Sequence, residues 1–571
     1  MRRLPELNHR VRLAAAGSRD RQGADKQRGK GHAFAGGCPQ RTTPRTDQGG
    51  MPKLAAGGRR HAAATVAHAT SRAWRRYAWP GHPLRSARSL PSWRYLAVMT
   101  AVAGWGLIDP VHAQTWGLAE MSAETRACAD CHRKENLAIY QQWGTSKHYR
   151  ANVGCFECHG AKDGEPDAFM HEGQWIATIV SPRDCARCHA REAAEFSASH
   201  HSKGARILGS LDNVLAEVVE GNRGLVTPAF QHGVAASAVM GCWQCHGSEI
   251  KVLSGGKLDP ATWPNTGIGR INPDGSEGSC SACHSRHAFS AEQARHPDNC
   301  GKCHMGPDHP QREIYEESKH GIAFRANIDR MNLGSAKWIV GEDYWAAPTC
   351  ATCHMSATRN QPVSHDVGLR ISWNNRPAVS IRPEESDRKM GLPGADVNWE
   401  TRRAKMQDVC RNCHEKQWID NFYVQYDSLI ELYHDKFARP GLELYKLAQP
   451  LLKPAEFANP VAFTWYEIWH HEGRRARHGA SMMGPDYTHW HGTYEVAKHF
   501  YAKFVPELEE LVRHGQQAGE PAQVAAAEAL AAKLDEVLNS ANHQWYLNKV
   551  DPAEQERRRQ QTEEFQKRYS K

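Results

Sequence analysis

The chain has 571 residues, of which 40% are hydrophobic, and this length is enough for several domains. Its formal net charge of +9 is unevenly distributed: residues 1–113 contain 20 Lys and Arg against 5 Asp and Glu, whereas the remainder contains 52 against 58. The basic excess therefore lies in the leader, and the charge gives no reason to expect a protein that binds nucleic acid.

Residues 1–113 have the build of a leader. Residues 1–90 are rich in Arg, Ala, Gly and Pro; Arg94 then precedes an apolar run of 14 residues, 95–108, and a small-residue site that ends at Ala113. This order is typical of a secretory signal peptide, and the run is short for a membrane span of ~20 residues. We expect cleavage after Ala113 and a periplasmic mature chain with no stable membrane span. An uncleaved anchor is the alternative.

One pattern, Cys-x-x-Cys-His, occurs eight times after the leader and uses sixteen of the seventeen cysteines. In chain order, the eight copies are Cys128/Cys131/His132, Cys155/Cys158/His159, Cys185/Cys188/His189, Cys242/Cys245/His246, Cys280/Cys283/His284, Cys300/Cys303/His304, Cys350/Cys353/His354 and Cys410/Cys413/His414. The two thiols of each copy can form thioethers to a haem, and the adjacent imidazole can bind the iron. Neither zinc sites nor disulfides demand a His after every second Cys. The pattern predicts eight covalently bound haem c groups and leaves Cys38 without a role.

Eight haems would fill much of the interior of the segment that carries them. We therefore predict one octahaem c domain over residues 114–415, with short helices at the motifs, Gly- and Pro-rich loops between them and little other regular structure. The motif histidines are separated by 20 to 60 residues, and such uneven gaps argue against a regular solenoid. The shortest gap, between His284 and His304, predicts that the fifth and sixth haems lie close together.

Nineteen histidines outside the motifs follow the leader, and a haem with two axial histidines needs one of them. Each one alone is as well explained by an ordinary surface or core position. Their number, close to one per haem, favours a set of ligands. The candidates are His148, His171, His201, His287, His320, His365 and His434, with His200 as the alternative to its neighbour His201.

Past the last motif, the composition changes to that of long helices. Apolar residues recur at helical spacing over 418–447, and residues 495–512 and 521–547 predict two further helices. The fold class is therefore mainly α: a multihaem cytochrome c domain followed by a C-terminal helical domain, 416–571. The Pro-, Gly- and aromatic-rich stretch 482–494 predicts a turn, which is either a packed corner between helices or part of an active site.

Residues beside the motifs carry a resemblance to a known family. The fifth motif continues as Cys-His-Ser-Arg-His287, the sixth as Cys-His-Met-Gly-Pro-Asp-His309, and the seventh is Ala-Pro-Thr-Cys-Ala-Thr-Cys-His354. With eight motifs in order, these residues resemble the octahaem hydroxylamine oxidoreductase family, from about Cys128 to the C-terminal helices. The resemblance implies seven haems with two histidine ligands that carry electrons. It implies one catalytic haem, at Cys242/Cys245/His246, with an open distal face.

The same resemblance implies roles for residues outside the motifs. Asp308 and His309 match an Asp-His pair that lines the catalytic pocket. Tyr487, followed by Thr488, matches the tyrosine that oxidative members cross-link to the catalytic haem of an adjacent subunit, which implies a homotrimer; Tyr494 is the competing candidate. Arg376 stands where the family has a further pocket tyrosine. The segment that precedes the first motif in nitrifying members is missing, and these departures leave the direction of the reaction open.

Three hypotheses follow. The first is oxidation of hydroxylamine to nitric oxide or nitrite, with His309 and Asp308 accepting protons and a soluble c-type cytochrome accepting electrons. The second is the reverse chemistry, reduction of nitrite or hydroxylamine to ammonia. The third, from another class, is a non-catalytic electron carrier in which every iron has two axial ligands; it needs an eighth distal residue, for which His232 is the candidate.

Overall fold

The computed structural model describes residues 120–208 and 240–570, with residues 228–231, 235, 237 and 238 between them. The leader with its predicted cleavage site, and His232, lie outside these residues. The described residues belong to one compact unit. The domain boundary expected near residue 415 falls inside this unit, at the start of a helix, and stays a prediction.

Short helices dominate the part of the chain that carries the motifs, as the sequence predicted. In chain order, they are α1 Ala123–Glu135, α2 Leu137–Thr145, α3 Lys147–Arg150, α4 Cys155–His159, α5 Pro182–Ala186, α6 Ala190–Ser197, α7 Gly204–Leu208, α8 Trp243–His246, α9 Ala291–Arg295, α10 Pro297–Gly301, α11 Gln311–Glu317, α12 Lys319–Ala326, α13 Cys350–His354, α14 Pro383–Met390 and α15 Trp399–Cys410. Serine begins several of them: the side chains of Ser122, Ser146 and Ser318 each accept a backbone N–H of the first turn. Such caps stabilise the start of helices that are too short to be stable alone.

The described residues contain two small antiparallel hairpins. Strand β1, Ala168–His171, pairs with β2, Gln174–Ala177, and β3, Val252–Leu253, pairs with β4, Lys257–Leu258. The loop between β3 and β4 contains Gly255 and Gly256 at φ of +74° and +72°, a conformation that glycine adopts without steric cost. The fold class is thus mainly α, and the prediction is confirmed.

Longer helices follow the last motif. They are α16 Lys416–Tyr433, α17 Arg439–Ala448, α18 Pro460–Tyr466, α19 Gly473–Met482, α20 Pro485–Thr488, α21 Glu495–His499, α22 Val505–Gln517, α23 Pro521–Asn539 and α24 Pro552–Tyr569. The predicted helices over 418–447 and 495–512 are present, and the third ends at Asn539 rather than 547. The sequence analysis missed α18, α19 and α24, and the predicted turn over 482–494 contains the short helix α20.

Four π-helical segments interrupt or extend these helices: His434–Ala438, Glu467–Glu472, His489–Tyr494 and Phe500–Phe504. A π segment adds a residue to a helical turn and rotates the side chains that follow it, and such segments are frequent at functional sites. The segment Glu467–Glu472 joins α18 to α19 without a break. It therefore sets which side chains of these two helices share a face.

The largest cluster of buried apolar side chains lies within the C-terminal helices. It includes Tyr433, Trp465, Phe500, Phe504 and Leu530, each 0–4% exposed. A smaller cluster in the motif region is built around Trp338, whose ring stacks on that of Tyr344 with 4.3 Å between centroids. Among the described residues, no helix has both the length and the apolar character that a membrane crossing requires. The C-terminal helices thus have a conventional protein core, against which the motif region is folded.

Gly473 tests how tightly this core is packed. A Cβ at this position would meet the ring of Tyr433, which is fully buried and cannot move aside. We expect Gly473→Ala to lower the free energy of unfolding by roughly 1–3 kcal/mol, as overpacking does. The matched control is Gly144→Ala in α2, where a Cβ meets nothing within 4 Å; it should leave stability unchanged or raise it. Denaturant unfolding followed by far-UV circular dichroism measures both, and equal midpoints would contradict the packing argument.

Candidate functional site

Each motif is held as a single helical turn. In five copies, the backbone N–H of the histidine donates to the carbonyl of the first cysteine at 2.8–3.0 Å; the histidines are His189, His246, His284, His304 and His414. A turn of this kind places residues three and four apart on one face. The two thiols and the imidazole of a motif can therefore reach the same group.

Six motif histidines face a second histidine from elsewhere in the chain. The pairs, with their centroid distances, are His132–His171 at 6.2 Å, His189–His148 at 6.1 Å, His159–His287 at 6.4 Å, His304–His201 at 6.0 Å, His284–His365 at 6.4 Å and His414–His320 at 6.2 Å. Six of the seven distal candidates from the sequence are thus brought opposite a motif histidine. Three of the partners precede the motif in the chain and three follow it, so the pairing could not be read from sequence order.

The spacing of these pairs fits an iron between the two rings. A metal–imidazole bond is about 2.0 Å long, and the centre of an imidazole ring lies roughly another 1 Å beyond its nitrogen, so two axial ligands place their ring centres about 6 Å apart. The observed range of 6.0–6.4 Å agrees with this sum. The histidines present therefore fit haems with two axial imidazoles.

The structure separates the two neighbours His200 and His201. His201 faces His304, whereas His200 Nε2 lies 2.6 Å from Oδ1 of Asp387, a carboxylate that also pairs with Arg402. A ring nitrogen committed to a carboxylate is not free to bind iron. The geometry therefore favours His201 as the ligand.

His434 is placed differently from the other six distal candidates. Its Nε2 accepts the backbone N–H of Ser380 at 2.5 Å, and its ring packs against Trp373 at 6.0 Å. Within the described part of the chain, no motif histidine is among its ring contacts. The geometry therefore argues against His434 as an axial ligand: it lies in the C-terminal helices, and its side chain caps a neighbouring loop.

Two motif histidines, His246 and His354, have no second histidine ring facing them in the described part of the chain. His354 lines the same cavity as His296, which precedes the sixth motif and was not among the sequence candidates. His246, of the fourth motif, has a different environment. The charged groups that act on it most strongly are His309, Asp308 and Arg376.

Thiols of different motifs lie next to one another and show how the motifs are ordered in space. The neighbouring pairs are Cys128–Cys155, Cys158–Cys185, Cys185–Cys280, Cys283–Cys300, Cys300–Cys350 and Cys353–Cys410. These pairs connect motifs one, two, three, five, six, seven and eight in a row. The fifth motif lies beside the sixth, as the short sequence gap between them predicted. The fourth motif joins from the side, because Cys245 lies beside Cys303 of the sixth.

A cavity of about 1960 Å³ runs through this row. Cysteines of motifs two to eight line it, from Cys158 to Cys410. An internal space of this size, with paired thiols and imidazoles on its wall, fits several haems held side by side.

Three motif cysteines lie at the surface and not on the wall of this cavity. Cys131, Cys188 and Cys413, the second cysteines of motifs one, three and eight, are exposed, whereas the other thirteen motif cysteines are partly buried. Motifs one and eight are the two ends of the row, and in motif three the contacts with neighbouring motifs are made by Cys185, which leaves Cys188 outside. The assignment of Cys131, Cys188 and Cys413 as haem-attachment sites stays a prediction from the motif.

Beside the fourth motif, Asp308 and His309 form a hydrogen-bonded pair. His309 Nδ1 is bonded to Oδ1 of Asp308, and its Nε2 donates to the carbonyl of Cys303 at 3.0 Å. Burial alone would raise the pKa of Asp308, but the hydrogen bond from His309 and the charge of Arg474 hold that pKa well below its usual range. Burial would lower the pKa of His309, but the bond to Asp308 outweighs it and raises that pKa. The pair is thus a carboxylate next to an imidazole that binds its proton tightly.

The C-terminal helices complete this wall with residues that the sequence analysis missed. Arg474 Nη1 donates to Oδ2 of Asp308 at 3.0 Å, and two other nitrogens of its guanidinium donate to the carbonyl of Arg376. His470 is 4% exposed and stacks on Tyr466 with 4.3 Å between centroids. Together with His478, these residues line the cavity. Tyr466, His470, Arg474 and His478 recur every fourth residue, and this polar stripe was the signal that could have identified them.

Tyr487 lies at the corner between α19 and the π segment His489–Tyr494. Its ring is 5.3 Å from that of His491, and its backbone N–H points to Glu317. Burial raises the pKa of its hydroxyl. Tyr494 is 50% exposed and packs against Trp490. Neither tyrosine is among the residues that line the cavity.

Comparisons with known proteins agree with the motif geometry. Residues 269–448 match a family model described as a multihaem cytochrome with seven CxxCH motifs. A probable nitrite reductase-hydroxylamine oxidoreductase fusion protein of Kuenenia stuttgartiensis is 28% identical over 350 residues, which is 52% of this chain and 35% of that protein. The chain thus spans about a third of the length of this curated relative.

Two solved structures are similar to this chain. A hypothetical multiheme protein superposes with a TM-score of 0.55 at 26% identity, covering 70% of this chain and 98% of that one. A reducing HAO-like protein complex of Kuenenia stuttgartiensis has a TM-score of 0.46 at 18% identity, covering 69% and 86%. The first of these shows that most of a multihaem protein of known structure is contained in the fold described above.

Neighbouring histidines offer a test of the axial ligands. We expect His201→Gln to leave the haems covalently attached but to convert one of them from low spin to high spin, because one axial imidazole is lost. The matched control His200→Gln removes only the bond to Asp387 and should keep the low-spin spectrum. Electron paramagnetic resonance at low temperature measures the high-spin signal. A new signal in the His200 variant instead would reverse the assignment.

Proposed function

We propose that this chain, part of which matches a multihaem cytochrome family model, is a c-type cytochrome that oxidises hydroxylamine at the haem of the fourth motif. The product is nitric oxide or nitrite. We propose eight covalently bound haems, one per motif, of which only the fourth is catalytic. When bound, the haems supply an iron site for a small nitrogen compound and carry its electrons to an external acceptor.

One observation carries this proposal. Six motif histidines face another histidine, whereas His246 has the polar wall of Asp308, His309 and Arg376 beside it. A site with no second imidazole facing the motif histidine, but with proton-binding groups, is suited to a substrate that binds and loses protons. A carrier with two axial ligands at every iron has no use for such a wall, so the third hypothesis is disfavoured.

The residues of the wall have distinct roles in the proposal. His309 holds a proton beside the substrate position, and Asp308 orients the imidazole and balances its charge. Arg474 fixes Asp308, because it is 7% exposed and bridges the carboxylate to the loop at Arg376. Catalytic acids and bases need such partners in order to keep a defined orientation and pKa.

A second candidate, reduction of nitrite or hydroxylamine to ammonia, is favoured by one feature of the same wall. Both ring nitrogens of His309 face oxygen acceptors, and the bond to Asp308 raises the pKa of the ring, which favours its protonated form. Arg376 and Arg474 add two further cations against the single carboxylate of Asp308. A cationic pocket that can donate protons is suited to an anionic substrate such as nitrite.

The remaining features of the proposal extend from the sequence and the family resemblance. We propose export to the periplasm with cleavage after Ala113, a soluble c-type cytochrome as redox partner, and a homotrimer in which Tyr487 reaches the fourth haem of an adjacent subunit. The position of the partly exposed Tyr487 in a short helix between longer ones supports this last part.

The acid–base role of His309 is tested by its removal. His309→Ala should retain all haems but lose roughly 10²–10⁴-fold in turnover of hydroxylamine, the range that a general base contributes. The loss should appear with a dye acceptor as well as with a cytochrome acceptor, because it affects the site and not the exit of electrons. Undiminished turnover would show that the Asp308–His309 pair is only structural.

Tyr487 decides between the two directions. If it is linked to a neighbouring haem, the wild type runs as a covalent oligomer on a denaturing gel, and Tyr487→Phe abolishes both the oligomer and hydroxylamine oxidation. The matched control is Tyr494→Phe, which should change neither. A wild type that runs as a free monomer and reduces nitrite with a reduced dye would replace the oxidative assignment by the reductive one.

A further inference from the structure

The inner wall of the cavity is connected to the surface by a line of titratable side chains. At its inner end, His470 Nδ1 lies 3.9 Å from Oδ2 of Asp308. At its outer end, His471 Nδ1 lies 3.7 Å from Oε2 of Glu467, a carboxylate that is 51% exposed. The rings of His470 and His471 are 5.3 Å apart, and that of Tyr466 contacts both. All four residues are in or next to the π segment Glu467–Glu472.

We propose that Glu467, His471 and His470 form a proton path between the surface and Asp308. The path rests on the proposed function only in requiring that the reaction at the fourth motif exchanges protons. Oxidation of hydroxylamine to nitric oxide releases three protons with its three electrons, and oxidation to nitrite with one water releases five protons with four electrons. The electrons leave to the c-type cytochrome acceptor, and the protons need a separate route from a buried site.

His470 has the properties of a proton carrier at the inner end of the path. It is 4% exposed, and its Nδ1 has no hydrogen-bond partner within the described part of the chain. Burial of a polar atom without a partner costs free energy, and Nδ1 of His470 points toward the carboxylate of Asp308. Burial keeps the pKa of His470 far below its usual value. The ring is therefore neutral, and a neutral imidazole can accept a proton on one nitrogen while it donates from the other.

The exposure of the side chains increases along the path. The side chain of His470 is 5% exposed, that of His471 21% and that of Glu467 51%. Each step along the path is thus one step closer to water. The distances between these groups are too long for direct hydrogen bonds. Gaps of this size are closed by rotation of an imidazole ring or by a water molecule that bridges two groups.

A second carboxyl beside the path can store a proton. Glu472 is 1% exposed, is hydrogen-bonded to His499, and has His471 among the charged groups that act on it. Burial raises its pKa to about 7. A carboxyl with this pKa is partly protonated at neutral pH, so it can take up or release a proton as the path is used.

The π segment explains why these residues form a line. In a regular α-helix, residues at adjacent positions such as His470 and His471 point 100° apart and do not share a face. The wider turn of the segment brings both rings against Tyr466. Removal of one residue from this turn would separate them.

Cyanide provides a probe that does not depend on nitrogen chemistry. Hydrogen cyanide binds to an open ferric haem as the anion and leaves its proton in the pocket. We expect that in the wild type a pH-indicator dye and the Soret band report proton release and cyanide binding with the same rate in a stopped-flow experiment. In His471→Gln and Glu467→Gln, the dye signal should lag behind the Soret change by roughly tenfold or more, since the proton has lost its route.

The chain offers matched controls. Glu510 and His514 form the same Glu-x-x-x-His pair at 4.0 Å on the exposed surface of α22, with side chains 57% and 65% exposed. Glu510→Gln and His514→Gln should show no lag. The conservative variant Glu467→Asp keeps a carboxylate at the surface and should also release the proton without a lag.

The outcomes separate this inference from the proposed function. Coincident dye and Soret signals in both His471→Gln and Glu467→Gln overturn the path and leave the catalytic assignment unaffected. Absence of any Soret change with cyanide in the wild type means that no haem is open, which overturns both. Turnover of hydroxylamine by the same wild-type preparation tests the proposed function by itself.

Discussion

Two imidazoles held about 6 Å apart, with two thiols beside one of them, are the arrangement on which the rest of this structure depends. One imidazole of each such pair comes from a motif and the other from a distant part of the chain, as in His284 and His365 at 6.4 Å. An iron with two axial imidazoles needs both, so each such pair would tie together two separate segments of the chain. This explains how a region of short helices with little regular sheet can have a defined fold. The haems that the motifs imply would add to the apolar cluster around Trp338 as the core of this region.

The C-terminal helices have a different role. Their core is built from ordinary apolar side chains such as Phe500 and Leu530, which are fully buried. This rigid base positions α18, α19 and the π segment between them against the motif region. Arg474 is bonded to Asp308 across 166 positions of sequence. The helices therefore act as the second half of the candidate active site as well as a packing domain.

The wall beside the fourth motif combines opposite electrostatic tendencies. Burial favours neutral groups, yet Asp308 stays ionised because His309 and Arg474 surround it. Such a cluster is costly to build and is stable only when each charge has a partner. Clusters of this kind, with pKa values shifted in opposite directions, are concentrated at sites where protons are moved. The polar stripe from Tyr466 to His478 supplies the residues of the C-terminal helices that complete this cluster.

The sequence by itself determined the chemistry of the motifs. Cys-x-x-Cys-His within one helical turn is a local pattern, and its eight copies predicted covalent haem, short motif helices and a mainly α fold. Local periodicity also predicted the helices over 418–447 and 495–512.

Only the tertiary structure decided the pairing of the distal histidines, because His148 precedes its motif partner whereas His287 follows its own by more than a hundred residues. It placed His201 and not His200 toward a motif, and it placed His434 against Ser380, away from the motif histidines of the described residues. The tertiary structure also left Cys131, Cys188 and Cys413 at the surface, whereas the other motif cysteines, which occur in the same pattern, are partly buried. It also placed His470 and Arg474 beside Asp308. Long-range packing and a π turn set the direction in which the side chains of a helix point, and neither leaves a local signature in the sequence.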